Sequence, residues 1–222
     1  MSTAQIQALT TSQIVALATS DLSAFSTTQL GALTTTQIQA IETRDLAVLS
    51  TNQIAAGLTT TQIAALKTSQ ISSLTTAQTA SLTTTQVGAI TTADLAAMKT
   101  SQIAALTTSQ VSAGLTTSQI AALTTGQAAA LTTNQTVALT TSQVAALQTA
   151  ALAAFKTSQV AALTTNQIAA GLTTNQLSSM TTAQIAALTT NQVSAGLTTN
   201  QIVALKTSQI ASLTTGQVGS LT

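Results

Sequence analysis

The chain has no cysteine, proline, histidine, tryptophan or tyrosine, and only two phenylalanines in 222 residues. Without cysteine, disulfides, thiolate metal sites and thiol redox chemistry are excluded, while the compartment stays open, since extracellular fibrous proteins and cytosolic proteins can both lack it. Charge is scarcer still. Five basic and four acidic side chains make up 4% of the sequence, against about 25% in an ordinary globular protein. They nearly cancel, to +1, which leaves no basic footprint for phosphates and excludes nucleic acid as an expected partner. The longest apolar run, Ala150 to Phe155, is far short of the ~20 residues that span a bilayer, so membrane insertion is not expected. Met1 to Gln7 shows neither the basic start nor the apolar stretch of a secretory signal.

What is present is repetition. With positions a to h counted from Leu9 as a, the sequence divides into 27 consecutive octapeptide units, from Met1–Ala8 to Leu213–Ser220, a single continuous array over residues 1–222. Four units carry a ninth residue, always glycine: Gly57, Gly114, Gly171 and Gly196. Residues 58–114 and 115–171 match even in their irregularities, Thr79 answering to Thr136 and Met98-Lys99 to Phe155-Lys156, which marks a duplicated block of seven units. Within the unit, a is a large apolar residue and c is Thr throughout. Position e is Gln, with Asp at 21, 45 and 94 and Ala at 151; f is Ile, Leu or Val except at Thr79, Ala128 and Thr136; h is Ala or Ser except Val48.

The spacing of e, f, h and a (i, i+1, i+3, i+4) is that of one face of a short helix, with b, d and g on the other. Thr at c then reads as the N-cap and Gln or Asp at e as a first-turn residue favoured by the helix dipole. The added glycine reads as a C′ residue in the left-handed region. A β-solenoid, with Thr and Gln stacked in ladders, is the alternative. Against it stand the Ala-rich g–h pair, the want of a fixed Gly or Asn corner, and the absence of proline. One long helix is excluded, because an 8-residue period slips the apolar stripe by roughly 80° per unit. Helices of six or seven residues are unstable alone and must lean on neighbours, so the expected fold is an all-α solenoid of very short capped helices, one per unit. A coil of about three units serves as a trial figure.

Chemistry is sought in vain. Lys-Thr-Ser-Gln occurs four times, at Lys67, Lys99, Lys156 and Lys206, and a Ser–Lys pair could act as nucleophile and base; four copies on an exposed edge without a pocket read as a duplicated solubilising Lys. Asp21, Asp45 and Asp94 are too dispersed for a Ca²⁺ loop. Asn134-Gln135-Thr136 is formally a glycosylation sequon, with Thr136 at a core position. No catalytic, cofactor-binding or metal-binding residue is expected, and no enzyme activity. The one surface array with functional content is Thr at b and c, which is either capping and turn polarity or a regular face for ice or a glycan.

The unit L-T-T-x-Q-[ILV]-A-A, as in Leu115–Ala122, resembles the Thr- and Gln-rich short repeats of very large bacterial surface proteins of the adhesin type. The resemblance covers the whole chain, carries no catalytic residues, and implies a secreted or surface-anchored fibre, placing the chain outside the cell or at its surface. A weaker similarity is to the opening helix of TAL-effector repeats, L-T-x-x-Q-V; the second helix, the base-reading pair and the basic stripe of those repeats are missing, so DNA binding is not implied. The expected function is that of a non-enzymatic structural repeat protein, a rod or self-associating extracellular fibre segment; the alternative is a binding module using the Thr face. The expected partner is the chain itself, head to tail or laterally. Met1 at position a, with no polar capping unit at either terminus, suggests either part of a longer array or ends that dock.

Overall fold

A computed structural model describes residues 1–221. They form 23 α-helices and four π-helices, one helix for each of the 27 units, with no strand among the described residues. The fold is all-α and solenoidal, as the spacing of e, f, h and a implies. Two compact units result, residues 1–115 and the residues from Thr116 onward.

Within each unit every helix packs on the helix three repeats later. In the first, Thr3–Gln7 packs on Thr27–Ala32, Thr11–Val15 on Thr35–Ala40, and Thr19–Ser23 on Thr43–Leu46. In the second, Thr117–Ala121 packs on Thr141–Ala146 and Thr125–Ala130 on Thr149–Ala153. Three octapeptides therefore make one coil. Each corner consists of two extended residues: Leu33 at a (φ −60°, ψ 135°) closes one helix and Thr34 at b (φ −70°, ψ 162°) opens the next. Among the described residues none has a positive φ and no peptide bond is cis. Corners built from ordinary extended residues need neither Gly nor Pro, which is why neither recurs in the repeat.

The N-cap is b and not c. The Thr34 hydroxyl accepts from the Gln37 amide at 3.2 Å, and Gln37 Oε1 accepts from the Thr34 amide at 2.8 Å. This reciprocal box recurs at Thr59 with Gln62, Thr132 with Gln135 and Thr173 with Gln176. The sequence-based placement of the cap at c was one residue late. Both positions carry Thr, so side-chain type alone could not separate them, but the capping box has its own spacing, with the cap three residues before a Gln or Glu. That spacing runs from b to e. Thr at c is the first helical residue and is mostly exposed; nothing in the structure explains its constancy in every unit.

The added glycines also differ from expectation. None is left-handed. Each ends a π-helix, Gln53–Gly57, Gln110–Gly114, Gln167–Gly171 and Gln192–Gly196, closed by an i to i+5 bond such as the Leu115 amide to the Gln110 carbonyl at 2.9 Å. The ninth residue is absorbed by widening the helix, as in a π-bulge. Widening pushes Ala56 outward and brings Gly57 against the coil below, where an added Cβ would lie 3.1 Å from Leu30 Cδ1 and 3.3 Å from the Thr27 Cα. At Gly114 it would meet the Thr84 carbonyl oxygen and Val87 Cβ, each at 3.2 Å. Glycine is required there by close approach, not by backbone conformation.

The core is the predicted one. Position f is sealed, as at Ile38, Ile63, Leu95 and Ile120, all 0% exposed, and the large residue at a is nearly so. Thr79 and Thr136, also buried, satisfy their hydroxyls on the carbonyls of Thr75 and Thr132 at 2.9 Å.

Candidate functional site

The most specific chemistry in the molecule belongs to Gln at e, the buried polar residue of almost every unit. Its Oε1 closes the capping box of its own helix. Its Nε2 reaches the corner of the preceding coil and donates to the two carbonyls that end a helix there. Gln37 Nε2 binds the carbonyls of Ile6 and Leu9, both at 2.8 Å; Gln62 binds those of Leu30 and Leu33 at 2.9 and 2.7 Å. In the second unit Gln159 binds Ala128 and Leu131, and Gln209 binds Leu177 and Met180. The last carbonyls of a helix have no intrahelical partner; here the next coil supplies one. Every buried side-chain polar atom among the described residues is satisfied. Each coil thus presents two chemically distinct faces, with amide donors on the side toward the N-terminus and carbonyl acceptors with apolar f side chains on the other.

The carboxylates fit the same frame. Asp45 and Asp94 replace Gln, are buried, and accept from the Thr at c in the coil below, Thr19 to Asp45 and Thr68 to Asp94 at 2.7 Å. Asp94 also accepts from Thr91 at 2.6 Å. Arg44 pairs with Glu42 at 2.7 Å and lies 3.7 Å from Asp45. Glu42 and Arg44 line an open groove of about 680 Å³ together with Gln39 and Lys67.

The remaining candidates are dispersed. Lys67, Lys99, Lys156 and Lys206 occupy exposed N-cap positions, where their side chains do not cap, although Gln at e still accepts from the backbone amide, as for Lys67 at 2.8 Å. The neighbouring Ser69, Ser101, Ser158 and Ser208 are exposed. In the sequon, Asn134 is exposed and Thr136 buried. Among the described residues no three His, Cys, Asp or Glu side chains come together, and no helix is long and apolar enough to cross a membrane. Of the candidate Thr face, the b hydroxyls are engaged in caps, which leaves the c hydroxyls as its exposed part.

Exposure differs between the first and last coils of the described residues. In the first coil Gln5 and Gln13 are exposed, and each accepts from the amide of its own cap, Ser2 at 2.7 Å and Thr10 at 2.9 Å. Ala8, Ala16 and Ala24 at h are exposed there, whereas Ala32 and Ala40 in the next coil are half-buried. In the last coil the pattern reverses. Gln201, Gln209 and Gln217 are buried, while the f residues Ile210 and Val218 are 42% and 53% exposed.

The model of the ALTTAQ repeat matches residues 14–43, 38–76, 56–92, 87–125, 141–170 and 195–222. The chain belongs to the ALTTAQ repeat family. No curated protein matches it. In the ALTTAQ repeat as it stands at Ala105–Gln110, the six letters cover positions h to e: the small close-packing residue, the core residue, the N-cap, the first helical residue, a variable position and the interlocking Gln. The repeat signature thus spans one corner with its capping box.

Proposed function

We propose that this ALTTAQ repeat protein is a non-enzymatic structural scaffold whose units supply length and a self-associating surface, and that it works outside the cell or at its surface as a spacer or fibre segment. The observation that carries this reading is the uniformity of the coil interlock. The same Gln-to-corner bonds and the same f and a core recur along both compact units, and the polar side chains with most structure around them are spent on that interlock. The outward positions b, d and g carry Thr, Ser, Asn and Ala with six charges, Glu42, Arg44 and the four Lys. Net charge near zero removes the repulsion that keeps ordinary proteins apart. Its partner is a second copy of itself, without nucleic acid or membrane insertion.

Sedimentation velocity at low and at ~1 M salt tests this reading, because association that rests on apolar and hydrogen-bonded contacts persists when ion pairs are screened. A strictly monomeric chain at high concentration in both conditions overturns it. Protease access to the chain on intact cells that produce it tests the surface location.

A further inference from the structure

We propose that the first compact unit binds a monovalent alkali cation, sodium or potassium, between the Asp94 carboxylate and the backbone carbonyls of Ile63 and Leu66. The inference goes beyond the scaffold reading and does not depend on it. It starts from a break in the interlock. Gln86 serves the carbonyls of Ile54 and Leu58, and Gln102 serves those of Ile71 and Leu74, each four repeats earlier. The corner between those two belongs to residue 94 by the same register, and residue 94 is Asp. A carboxylate cannot donate to a carbonyl. The Ile63 carbonyl accepts from the Leu66 amide at 3.2 Å, and among the described residues no side-chain donor reaches either carbonyl.

Asp94 nonetheless occupies the glutamine's place. It is 6% exposed, and it accepts from the hydroxyl of Thr68, two residues beyond Leu66 in the coil below, at 2.7 Å. The helix Thr60–Ala65 ends at that corner, so its last carbonyls bring the negative end of a helix dipole toward a buried anion. Burial and like charge both disfavour a bare carboxylate there. Among the described residues the ion pairs are those of Arg44, so no Lys or Arg pairs with Asp94; Lys67, the neighbour of Thr68, lines the groove with Glu42 and Arg44 instead. Two other positions meet the same problem differently. Asp45, which accepts from Thr19 as Asp94 does from Thr68, has the Arg44 guanidinium 3.7 Å away. In the duplicated block the counterpart of Asp94 is Ala151, which removes the charge. Asp94 follows Ala93 and has neither solution. What it has is a carboxylate and two carbonyls, the oxygen ligands that hard cations take. Asp is one methylene shorter than Gln, which leaves room for an ion where Nε2 would stand. One carboxylate balances one positive charge, whereas Ca²⁺ loops gather several. The ion then joins the two coils as the amide does elsewhere.

Thermal unfolding at one ionic strength of ~0.5 M, in sodium chloride, potassium chloride or choline chloride, tests the site, because choline is too large to enter it. Sodium or potassium should raise the midpoint of the parent by about 2–4 °C over choline, the shift expected when a ligand present well above its Kd binds the folded chain alone. Asp94→Gln supplies the amide that the neighbouring coils have, and should unfold at the same temperature in all three salts. Asp94→Ala, the residue found at 151, is the second variant and should be equally indifferent to the cation; circular dichroism matching the parent establishes that each folds. Equal midpoints of the parent in the three salts overturn the proposal. So does a difference between the salts that persists in both variants, since it would arise away from Asp94. A midpoint raised by calcium chloride, with sodium and potassium no better than choline, overturns the monovalent assignment.

Discussion

Gln62 and Leu33 are 29 residues apart in sequence, yet the glutamine Nε2 donates to the leucine carbonyl at 2.7 Å. That bond ties the start of one helix to the end of another in the coil below, and it exists because both helices are too short to satisfy their own ends. A side chain with one acceptor and two donor hydrogens does both tasks, taking the Thr59 amide on its oxygen at 2.8 Å and the corner carbonyls of Leu30 and Leu33 on its nitrogen.

Replacing that side chain tests its weight. Gln62→Ala takes the side-chain partner from the buried Leu33 carbonyl and from the Thr59 cap amide, leaves the Leu30 carbonyl with the Leu33 amide alone, and opens a void, which should lower stability by about 2–4 kcal/mol in denaturant unfolding. Gln5→Ala, at an exposed site with no bond beyond its own cap, should lower it by about 1 kcal/mol or less. Equal losses at the two sites would remove the interlock from the account of stability.

The cap assignment gives a paired test. Thr75→Ala removes an N-cap hydroxyl that accepts from Gln78 at 3.1 Å, and should lower stability by about 1 kcal/mol. Thr76→Ala, one residue on, should stay within about 0.5 kcal/mol. At the natural departures the change runs the other way: Lys67→Thr restores a missing cap and should raise stability by about 0.5–1 kcal/mol.

Helix content, the core positions and the solenoid were legible in the sequence, because the spacing of e, f, h and a fits one short helix face and the Ala-rich g–h pair weighed against the β-solenoid alternative. Three features were not. Thr-Thr at b and c offers two adjacent caps of equal chemistry, and only the three-residue offset to Gln separates them. Gln at e reads locally as a first-turn residue, since its second set of partners, Ile6 and Leu9 for Gln37, lies about 30 residues away and no local pattern reports it. The glycines looked like helix ends because Gly at C′ is common, whereas Gly57 is needed where its helix presses on Leu30 of the coil below.

Glycine substitutions separate those two reasons. Gly57→Ala sets a methyl 3.1 Å from Leu30 Cδ1 and 3.3 Å from the Thr27 backbone, and should destabilise by about 1–3 kcal/mol through overpacking. Gly219→Ala, in the helix Thr215–Ser220 with nothing within 4 Å of the new methyl, should stabilise by about 0.5–1 kcal/mol through reduced backbone entropy. Thermal unfolding of the two variants reads both signs.

Thr79 offers a gain. Its hydroxyl is fully buried and spent on the Thr75 carbonyl, four residues back in the same helix. Thr79→Val substitutes the methyl that Val87 and Val111 carry at the same repeat position, and should raise stability by up to about 1 kcal/mol in denaturant unfolding.

Three repeats per coil also govern how such a chain can lengthen by copying its own gene segment. A copied block of seven units advances two coils and one further edge, so the bulge at Gly57 reappears at Gly114 on a different edge, one packing on Thr27–Ala32 and the other on Thr84–Ala89. A copied block of three units lands where it began, and the π-helices ending at Gly171 and Gly196 lie directly on one another. Whole octapeptides can therefore be gained or lost in any number without breaking the interlock, while the arithmetic of three decides whether inherited irregularities are dealt out around the coil or piled in one column.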